Sequence, residues 1–416
     1  EDATMFREQS EGLLADWKRL GFDSVYPFPE DLLRESQRLH ARQRTLGFNC
    51  IRSNPRLCGY NLTGMLDHGM TGEGLWTFWR RWKPATFDAV SDGWSPLRWC
   101  LFVEPLHAYA GRDVLIEAVL ANEDVLKPGE YPARFRVFGP DGPVWEKETV
   151  VKVPDPPVLA VPAIRETIKL DVPAGQYILA ANLEQGGSPS GGRLAFYISD
   201  STSLPQWTGD VATWGIDEKA ERWLASHGLR CRPLTAEVLN PREVVLVGKP
   251  ADAETNPAMW ETLTARLAQG AGVVFLSGQV FQSSKAAMNW LPLKNKGRCR
   301  TVHDWLYYKL CVANRSPVFD GLPGPGILDW DYYGPIIPRE VFEGQGTPDE
   351  TVVAGFATGN AQFGKGYGSC LIVALYKVGE GRLILSTPYI LENLDSHPAA
   401  DRLLLNLIRH AQGQDR

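Results

Sequence analysis

The candidate nucleophile in this 416-residue sequence is Ser277. It lies in a segment predicted to be a strand-to-helix turn, residues 274–280. This segment carries Ser277 and no cysteine, and it does not match the G-x-S-x-G turn of hydrolases. A nucleophilic side chain also needs a neighbouring general base. His303, Asp304 and His397 could supply one, but nothing in their spacing ties them to Ser277. The sequence therefore does not predict nucleophilic catalysis by this chain.

The cysteines and the charge predict neither a metal site nor a nucleic-acid partner. The seven cysteines are scattered, with no C-x-x-C pair and no Cys/His spacing suited to zinc. The formal net charge is -6, so the chain offers no basic field for phosphates. No apolar run approaches the ~20 residues of a membrane helix. We expect no cofactor, no nucleic-acid partner and no contact with a membrane.

In the N-terminal part, residues 1–95, the sequence pattern predicts two helices and one strand. Apolar residues recur at helical spacing over 6–20 and again over 32–46. Residues 56–63 are short and apolar enough to form one strand, and a glycine-rich loop then runs to Trp76. A single strand cannot bury itself, so we expect it to complete a sheet made elsewhere. Because the chain begins without Met or a signal peptide, we expect the rest of that sheet upstream or on another chain.

Residues 96–203 change in character and predict a β-sandwich domain. Runs of strand-forming residues at 113–122, 131–138 and 172–180 are separated by turn residues rich in Pro and Gly. Short strands at this spacing are typical of two packed antiparallel sheets.

Residues 204–416 alternate between strand-like and helix-like segments. This alternation indicates βαβ units and therefore a mostly parallel sheet, as in a flavodoxin-like α/β domain. The predicted segments are strands at 211–215, 243–248, 272–277, 371–375 and 381–386, and helices at 218–226, 257–269 and 397–411.

Two motifs resemble glycoside hydrolase family 2, which contains β-galactosidases, β-mannosidases and β-glucuronidases. In that family a phrase like R-x-N-P-R-x-x-G-Y leads into the eighth barrel strand, and a Lys-Pro pair starts the final helix before a β-sandwich. Here residues 52–60 read R-S-N-P-R-L-C-G-Y, and Lys83 is followed by Pro84. The resemblance covers residues 1 to about 150. It implies a multidomain chain: the end of a (β/α)8 (TIM) barrel over 1–95, an immunoglobulin-like β-sandwich, and the α/β domain.

The resemblance implies a retaining exo-β-glycosidase, with β-galactosidase as the first hypothesis. Such enzymes use two carboxyl groups about 5 Å apart, which the family places at the ends of the fourth and seventh strands. This chain resembles the part after the seventh strand, so both glutamates would lie upstream of residue 1. We therefore expect no catalytic residue here and no hydrolysis by the chain alone. The expected partners are the N-terminal portion of the enzyme on a companion chain, a carbohydrate substrate and further copies of the protein.

The resemblance also implies which residues bind the sugar. They lie at the expected strand end and in the loop after it: Thr63, Asp67, His68, Trp76 and Trp79. Thr63 stands where many members have an aromatic platform, so Trp76, Trp79 or Trp82 would supply the platform, while Asp67 and His68 would bond to sugar hydroxyls. Structural alternatives remain open: Asp67 as a loop cap, His68 as a polar residue with its own partners, and the tryptophans as packing residues.

Residues 204–416 resemble the class I glutamine amidotransferase-like fold. An active amidotransferase needs a cysteine at the turn that carries Ser277, so the resemblance implies a degenerate, structural domain. The acidic and aromatic segment 329–335 could line a sugar site or pack an interface. A non-catalytic carbohydrate-binding or oligomerisation module is the alternative function, and an amidotransferase-type enzyme is third.

Overall fold

The computed structural model describes residues 2–57, 59–67, 72, 74–237, 240–302, 309–358 and 366–413. The chain begins with helices α1 (Asp2–Arg19), α2 (Pro29–Arg52) and α3 (Thr86–Gly93). A run of strands follows: β1 (Leu97–Glu104), β2 (His107–Tyr109), β3 (Asp113–Asn122), β4 (Gly129–Gly139), β5 (Gly142–Val153), β6 (Ala160–Lys169), β7 (Gly175–Leu183) and β8 (Arg193–Ser199).

Strands and helices then alternate. The elements are β9 (Gly209–Trp214), α4 (Glu218–Ser226), β10 (Leu229–Pro233), β11 (Val244–Val247), α5 (Pro257–Ala268), β12 (Gly272–Phe275), α6 (Gln279–Ser283), α7 (Lys285–Trp290), β13 (Arg298–Thr301), β14 (Leu310–Ala313), β15 (Gly326–Ile327), α8 (Trp330–Tyr333), β16 (Glu340–Glu343), β17 (Glu350–Thr358), β18 (Tyr367–Val378), β19 (Gly381–Ser386) and α9 (Pro398–Ala411).

The chain divides into two compact units. The first unit comprises Glu1–Leu32, Ser203–Leu328 and Tyr333–Arg416, and the second comprises Leu33–Thr202 and Asp329–Tyr332. The protein is thus multidomain and rich in sheet. The division into residues 1–95, 96–203 and 204–416 stays a prediction.

The two helices expected near the N-terminus are confirmed. Trp17 of α1 is buried, and its ring centroid lies 5.9 Å from that of Phe22 in the apolar core of the first unit. Helix α2 begins at Pro29, which cannot donate a backbone hydrogen bond and therefore suits a first helical position. Glu30 and Asp31 in its first turn oppose the helix dipole.

The strand predicted over residues 56–63 is wrong. The described part of this segment, residues 56–57 and 59–63, belongs to no strand, and most of its side chains are exposed. A strand is stable only when a neighbouring strand takes up its backbone hydrogen bonds, and apolar character alone does not supply that neighbour.

Two mostly antiparallel sheets of the second unit form a β-sandwich. One sheet has the order β1-β3-β6 and the other the order β2-β8-β7-β4-β5. Both contribute to one apolar core, in which the fully buried Trp99 of β1 lies edge-on to Phe135 of β4 at 5.1 Å. Along β4 the alternate residues Ala133, Phe135 and Val137 are buried, which is the period of two that a half-buried strand requires.

The large sheet of the first unit is parallel on one side only. Strands β10-β9-β11-β12-β19 are parallel, as the alternation of strands and helices predicted. The expectation of a mostly parallel sheet fails beyond β19, where β18, β17, β14 and β15 pair antiparallel. The reason is a tight connection: Val378 and Gly381 pair directly, so β18 and β19 form a hairpin, which reverses the chain.

Candidate functional site

An ion pair between a buried lysine and a partly buried aspartate holds together the loop that carries most of the predicted site residues. Lys83 is only 5% exposed, and its Nζ donates to Asp67 Oδ1 at 2.7 Å and to the Gly72 carbonyl oxygen at 2.5 Å. The same Asp67 oxygen accepts a hydrogen bond from the Gly74 N–H at 2.8 Å. A buried ammonium requires such partners because an unpaired buried charge is costly. Asp67 and Lys83 therefore fix the two ends of the loop to each other.

Backbone contacts set the path of the loop. The Asp67 N–H donates to the Trp76 carbonyl oxygen at 2.9 Å, and the Leu75 N–H donates to the Met65 carbonyl oxygen at 2.9 Å. A Cβ on Gly74 would lie 2.4 Å from the Asp67 backbone nitrogen. Glycine is therefore required where the two chain segments cross.

A short hairpin, residues 76–82, extends from this framework, and we call it the aromatic hairpin. Its first and last residues form an antiparallel backbone bridge. The Thr77 N–H donates to the Arg81 carbonyl oxygen at 2.8 Å, and the Arg80 N–H donates to the Thr77 carbonyl oxygen at 2.8 Å. Arg80 has φ 60°, the left-handed conformation that commonly ends a three-residue hairpin loop.

The aromatic hairpin exposes large rings that other rings support. Trp79 is 72% exposed and Trp82 is 52% exposed. The Trp82 ring centroid lies 4.7 Å from that of Trp76 and 4.5 Å from that of Phe87, so this ring is held on two sides. Phe78 lies edge-on to Trp79 at 5.9 Å. Exposed aromatic clusters of this kind mark binding surfaces, because an indole offers a flat apolar face and a polar N–H.

A half-buried histidine lies near Lys83. His40 Nε2 accepts a hydrogen bond from Arg44 Nε at 3.1 Å, which requires that nitrogen to be unprotonated. Burial, and to a smaller extent the positive charges of Arg44 and Lys83, together lower the pKa of His40 to about 4. The loop framework thus includes a neutral histidine whose protonation would place a third cation beside two others.

We expect this histidine to make the second unit sensitive to acid. Its pKa is 6.5 when unfolded and about 4 when folded, so the unfolded chain binds more protons between these values. The stability that neutral His40 contributes is present above pH 6.5 and is lost as the pH falls toward about 4. Urea unfolding at about pH 7 and about pH 4.5 measures this effect. The free energy of unfolding should fall less between these two pH values for His40→Gln than for the wild type. An equal acid loss in both proteins would contradict this role for His40.

The structure brings together part of the predicted site. Asp67 and Trp76 share a backbone hydrogen bond, and Trp79 lies at the tip of the aromatic hairpin that begins at Trp76. Thr63 is exposed in irregular chain before the loop, not at a strand end. His68 lies outside the described residues. Asp67 Oδ1 is occupied by Lys83 and Gly74, so this carboxylate positions the loop.

Sequence reasoning missed the role of Lys83 and the two arginines of the aromatic hairpin. Lys83 stood out only as part of a Lys-Pro motif, although it is the buried partner of Asp67. Arg80 and Arg81 lie between Trp79 and Trp82, and this interleaving of aromatic and basic residues was the available signal.

The segment 329–332 forms a second polar cluster in the second unit. Arg42 pairs with Asp329 through Nη2, and its Nε lies 3.5 Å from Asp331 Oδ2. Burial, and to a smaller extent the negative charge of Asp329, raise the pKa of Asp331 to about 6 against the opposing effect of Arg42. Because Arg42 already pairs with both carboxylates, the cluster favours a packing role for this segment.

The turn between β12 and α6 does not present a reactive group. The buried Ser277 accepts a hydrogen bond at Oγ from the Gln279 N–H at 3.3 Å. The neighbouring Cys299 thiol donates to the Gly278 carbonyl oxygen at 3.3 Å, and burial raises the pKa of Cys299 to about 12. A thiol with such a pKa keeps its proton at neutral pH and is a poor nucleophile. His303 and Asp304 lie outside the described residues.

The described residues include no group of three or more His, Cys, Asp or Glu side chains that could hold a metal ion. None of the described helices combines the length and the apolar character needed to cross a membrane.

The comparisons with known proteins give weak likenesses. No protein-family model and no curated protein matches the sequence. Among solved structures, a glycosyl hydrolase family 2 member from Bacteroides cellulosilyticus DSM 14838 matches at 10% identity and TM-score 0.22, over 70% of this chain and 64% of that one. A calcium-binding mutant of Bacteroides uniformis beta-glucuronidase 2 matches at 6% identity and TM-score 0.18, over 45% and 28%.

The structure of a protein with a different activity matches with a similar TM-score. The DNA-bound Pseudomonas fluorescens alkylpurine DNA glycosylase AlkC matches at 12% identity and TM-score 0.19, over 28% of this chain and 33% of that one. The chain thus spans less than two thirds of each of these three structures. Glycoside hydrolases are among the weak structural neighbours of this chain, and TM-scores near 0.2 carry no argument about its fold or activity.

Proposed function

We propose that this chain is a carbohydrate-binding part of a glycoside hydrolase and that the aromatic hairpin contacts the sugar. The observation that carries the proposal is the 72% exposed ring of Trp79, displayed on a loop that the buried Lys83–Asp67 pair holds in place. A sugar ring has apolar C–H faces and a polar rim, so it matches an exposed indole supported by polar groups.

The proposed type of glycosidase rests on the sequence motifs. The R-x-N-P-R-x-x-G-Y phrase at 52–60 and the Lys-Pro pair at 83–84 support a retaining exo-β-glycosidase, with β-galactosidase as the first hypothesis. In this proposal the catalytic glutamates and the rest of a TIM barrel lie on a companion chain, and the assembled enzyme forms homo-oligomers. The chain alone would bind sugar without cleaving it.

The proposed sugar site assigns different tasks to its residues. Trp79 stacks on the sugar, Trp76 supports the hairpin base, and Asp67 is a positioning residue. Thr63 and His68 contact sugar hydroxyls in the same proposal. The amidotransferase-like part of the chain is structural in this proposal, which the absence of a cysteine from the turn that carries Ser277 supports.

The second candidate is a non-catalytic carbohydrate-binding or oligomerisation module. The same exposed hairpin favours it, because binding by aromatic rings requires no catalytic carboxylate. Hydrolysis assays on chromogenic β-glycosides with any co-purifying chain distinguish the two candidates, since only the glycosidase releases the chromophore.

We expect Trp79→Ala to weaken sugar binding about tenfold, because truncating an aromatic anchor typically costs more than 1 kcal/mol. Isothermal titration calorimetry of the chain against a panel of β-linked disaccharides measures the effect. Trp94→Ala is the matched control, since Trp94 is also an exposed tryptophan but lies outside the hairpin. If no disaccharide binds to the wild type, or if both variants bind alike, the hairpin is not the sugar site.

A further inference from the structure

Two arginines near the tip of the aromatic hairpin give this surface a local positive charge. Residues 74–83 contain Arg80, Arg81 and Lys83 and no Asp or Glu. The charge of Lys83 is neutralised by Asp67, whereas both arginines are exposed and neither forms an ion pair or hydrogen bond through its side chain with a described residue. The hairpin therefore offers two guanidinium groups within two residues of the Trp79 ring. This local charge contrasts with the net charge of -6 of the whole chain.

The backbone accepts strain to keep an arginine at this position. Arg80 adopts φ 60°, which glycine adopts freely and which is strained for a residue with a Cβ. Non-glycine residues in this conformation concentrate at functional sites. The hairpin thus carries an arginine at a position where glycine would be less strained.

We propose that the aromatic hairpin selects saccharides that carry an anionic group, a carboxylate or a sulfate. This inference rests on the proposed sugar-binding function and names the class of its ligand. The sugar ring stacks on Trp79, and the Arg80 and Arg81 guanidinium groups donate paired hydrogen bonds to the anion. An exposed ion pair alone is weak, so the preference arises because the stacked ring excludes water from one side of the pair.

The test compares three β-linked tetrasaccharides of matched length and linkage: a neutral galactan, the same galactan oxidised at C6 to a galacturonan, and a sulfated galactan. Isothermal titration calorimetry of the full chain at low salt should show about tenfold tighter binding of an anionic form than of the neutral one. The galacturonan and sulfated arms distinguish a carboxylate ligand from a sulfate ligand. Added salt should reduce the preference, because the guanidinium groups are exposed.

The variants separate charge from stacking. Arg80→Gly keeps the left-handed turn and removes one guanidinium, and Arg81→Gln removes the other. The double variant should bind all three tetrasaccharides equally, at about the neutral affinity of the wild type. Arg222→Gln removes one exposed arginine from α4 and should leave the preference unchanged.

The outcomes separate this inference from the proposed function. Equal wild-type affinity for the neutral and anionic tetrasaccharides, or a preference that survives in the double variant, overturns the inference and leaves sugar binding intact. If no tetrasaccharide binds, both the inference and the proposed function fail. If Trp79→Ala weakens binding of all forms and the arginine variants remove only the preference, both stand.

Discussion

Asp67→Ala is expected to release the loop that carries the aromatic hairpin and to abolish sugar binding. The substitution leaves the 5% exposed Lys83 ammonium with the Gly72 carbonyl as its remaining described partner. Removing one member of a buried ion pair costs about 3 kcal/mol or more, because the other charge stays buried without compensation. The Gly74 N–H also loses its acceptor. Hydrogen exchange should report this opening at the Leu75 and Trp76 amides, which both donate to Met65.

Two further variants separate charge from hydrogen bonding at this pair. Asp67→Asn keeps an acceptor for the Gly74 N–H but removes the negative charge, so it should give an intermediate effect. Lys83→Met on the Asp67→Ala background removes the uncompensated ammonium and should restore much of the lost protection. If Asp67→Ala exchanges like the wild type, Asp67 does not hold the loop and a direct contact with ligand becomes the better explanation of this residue.

The elements were predictable where one local pattern decided the structure. Helices α1 and α2 follow from apolar residues at helical spacing, and β4 follows from a run of strand-forming residues between turn residues. The segment 56–63 shows where this reasoning stops. Its composition suits a strand, but strand formation depends on a partner that no local pattern reveals.

The sequence indicated candidate residue types for the site but not their contacts. The resemblance of the motifs to a known family placed Trp76 and Trp79 among the candidates, whereas the Asp67–Lys83 pair joins residues 16 positions apart. Such a pairing depends on how the loop folds back, which sequence spacing alone does not determine. Arg80 illustrates the same limit, because its left-handed conformation is a property of the hairpin geometry and not of arginine.

Glu243→Gln is expected to destabilise the first unit by about 3–5 kcal/mol. Glu243 precedes β11 and is 3% exposed, and its Oε1 lies 3.0 Å from Nε of Arg266, which is 1% exposed on α5. Arg232 of β10 pairs with the other carboxylate oxygen. Arg266 also donates through Nη2 to the Thr235 carbonyl oxygen at 2.9 Å, so it cannot turn toward solvent without breaking that contact. The substitution therefore leaves a buried guanidinium without a counter-charge.

Urea unfolding of the whole chain measures this effect, and a surface pair supplies the matched control. Arg230 of β10 and Asp210 of β9 form an exposed ion pair at 2.7 Å in the same sheet. Asp210→Asn should change the free energy of unfolding by less than about 1 kcal/mol, since exposed pairs contribute little. Replacing Glu243 and Arg266 together by methionine should recover part of the loss, because no uncompensated charge remains at position 266. A Glu243→Gln effect as small as that of Asp210→Asn would show that water or another group compensates Arg266, and that the pair does not stabilise the contact between α5 and the sheet.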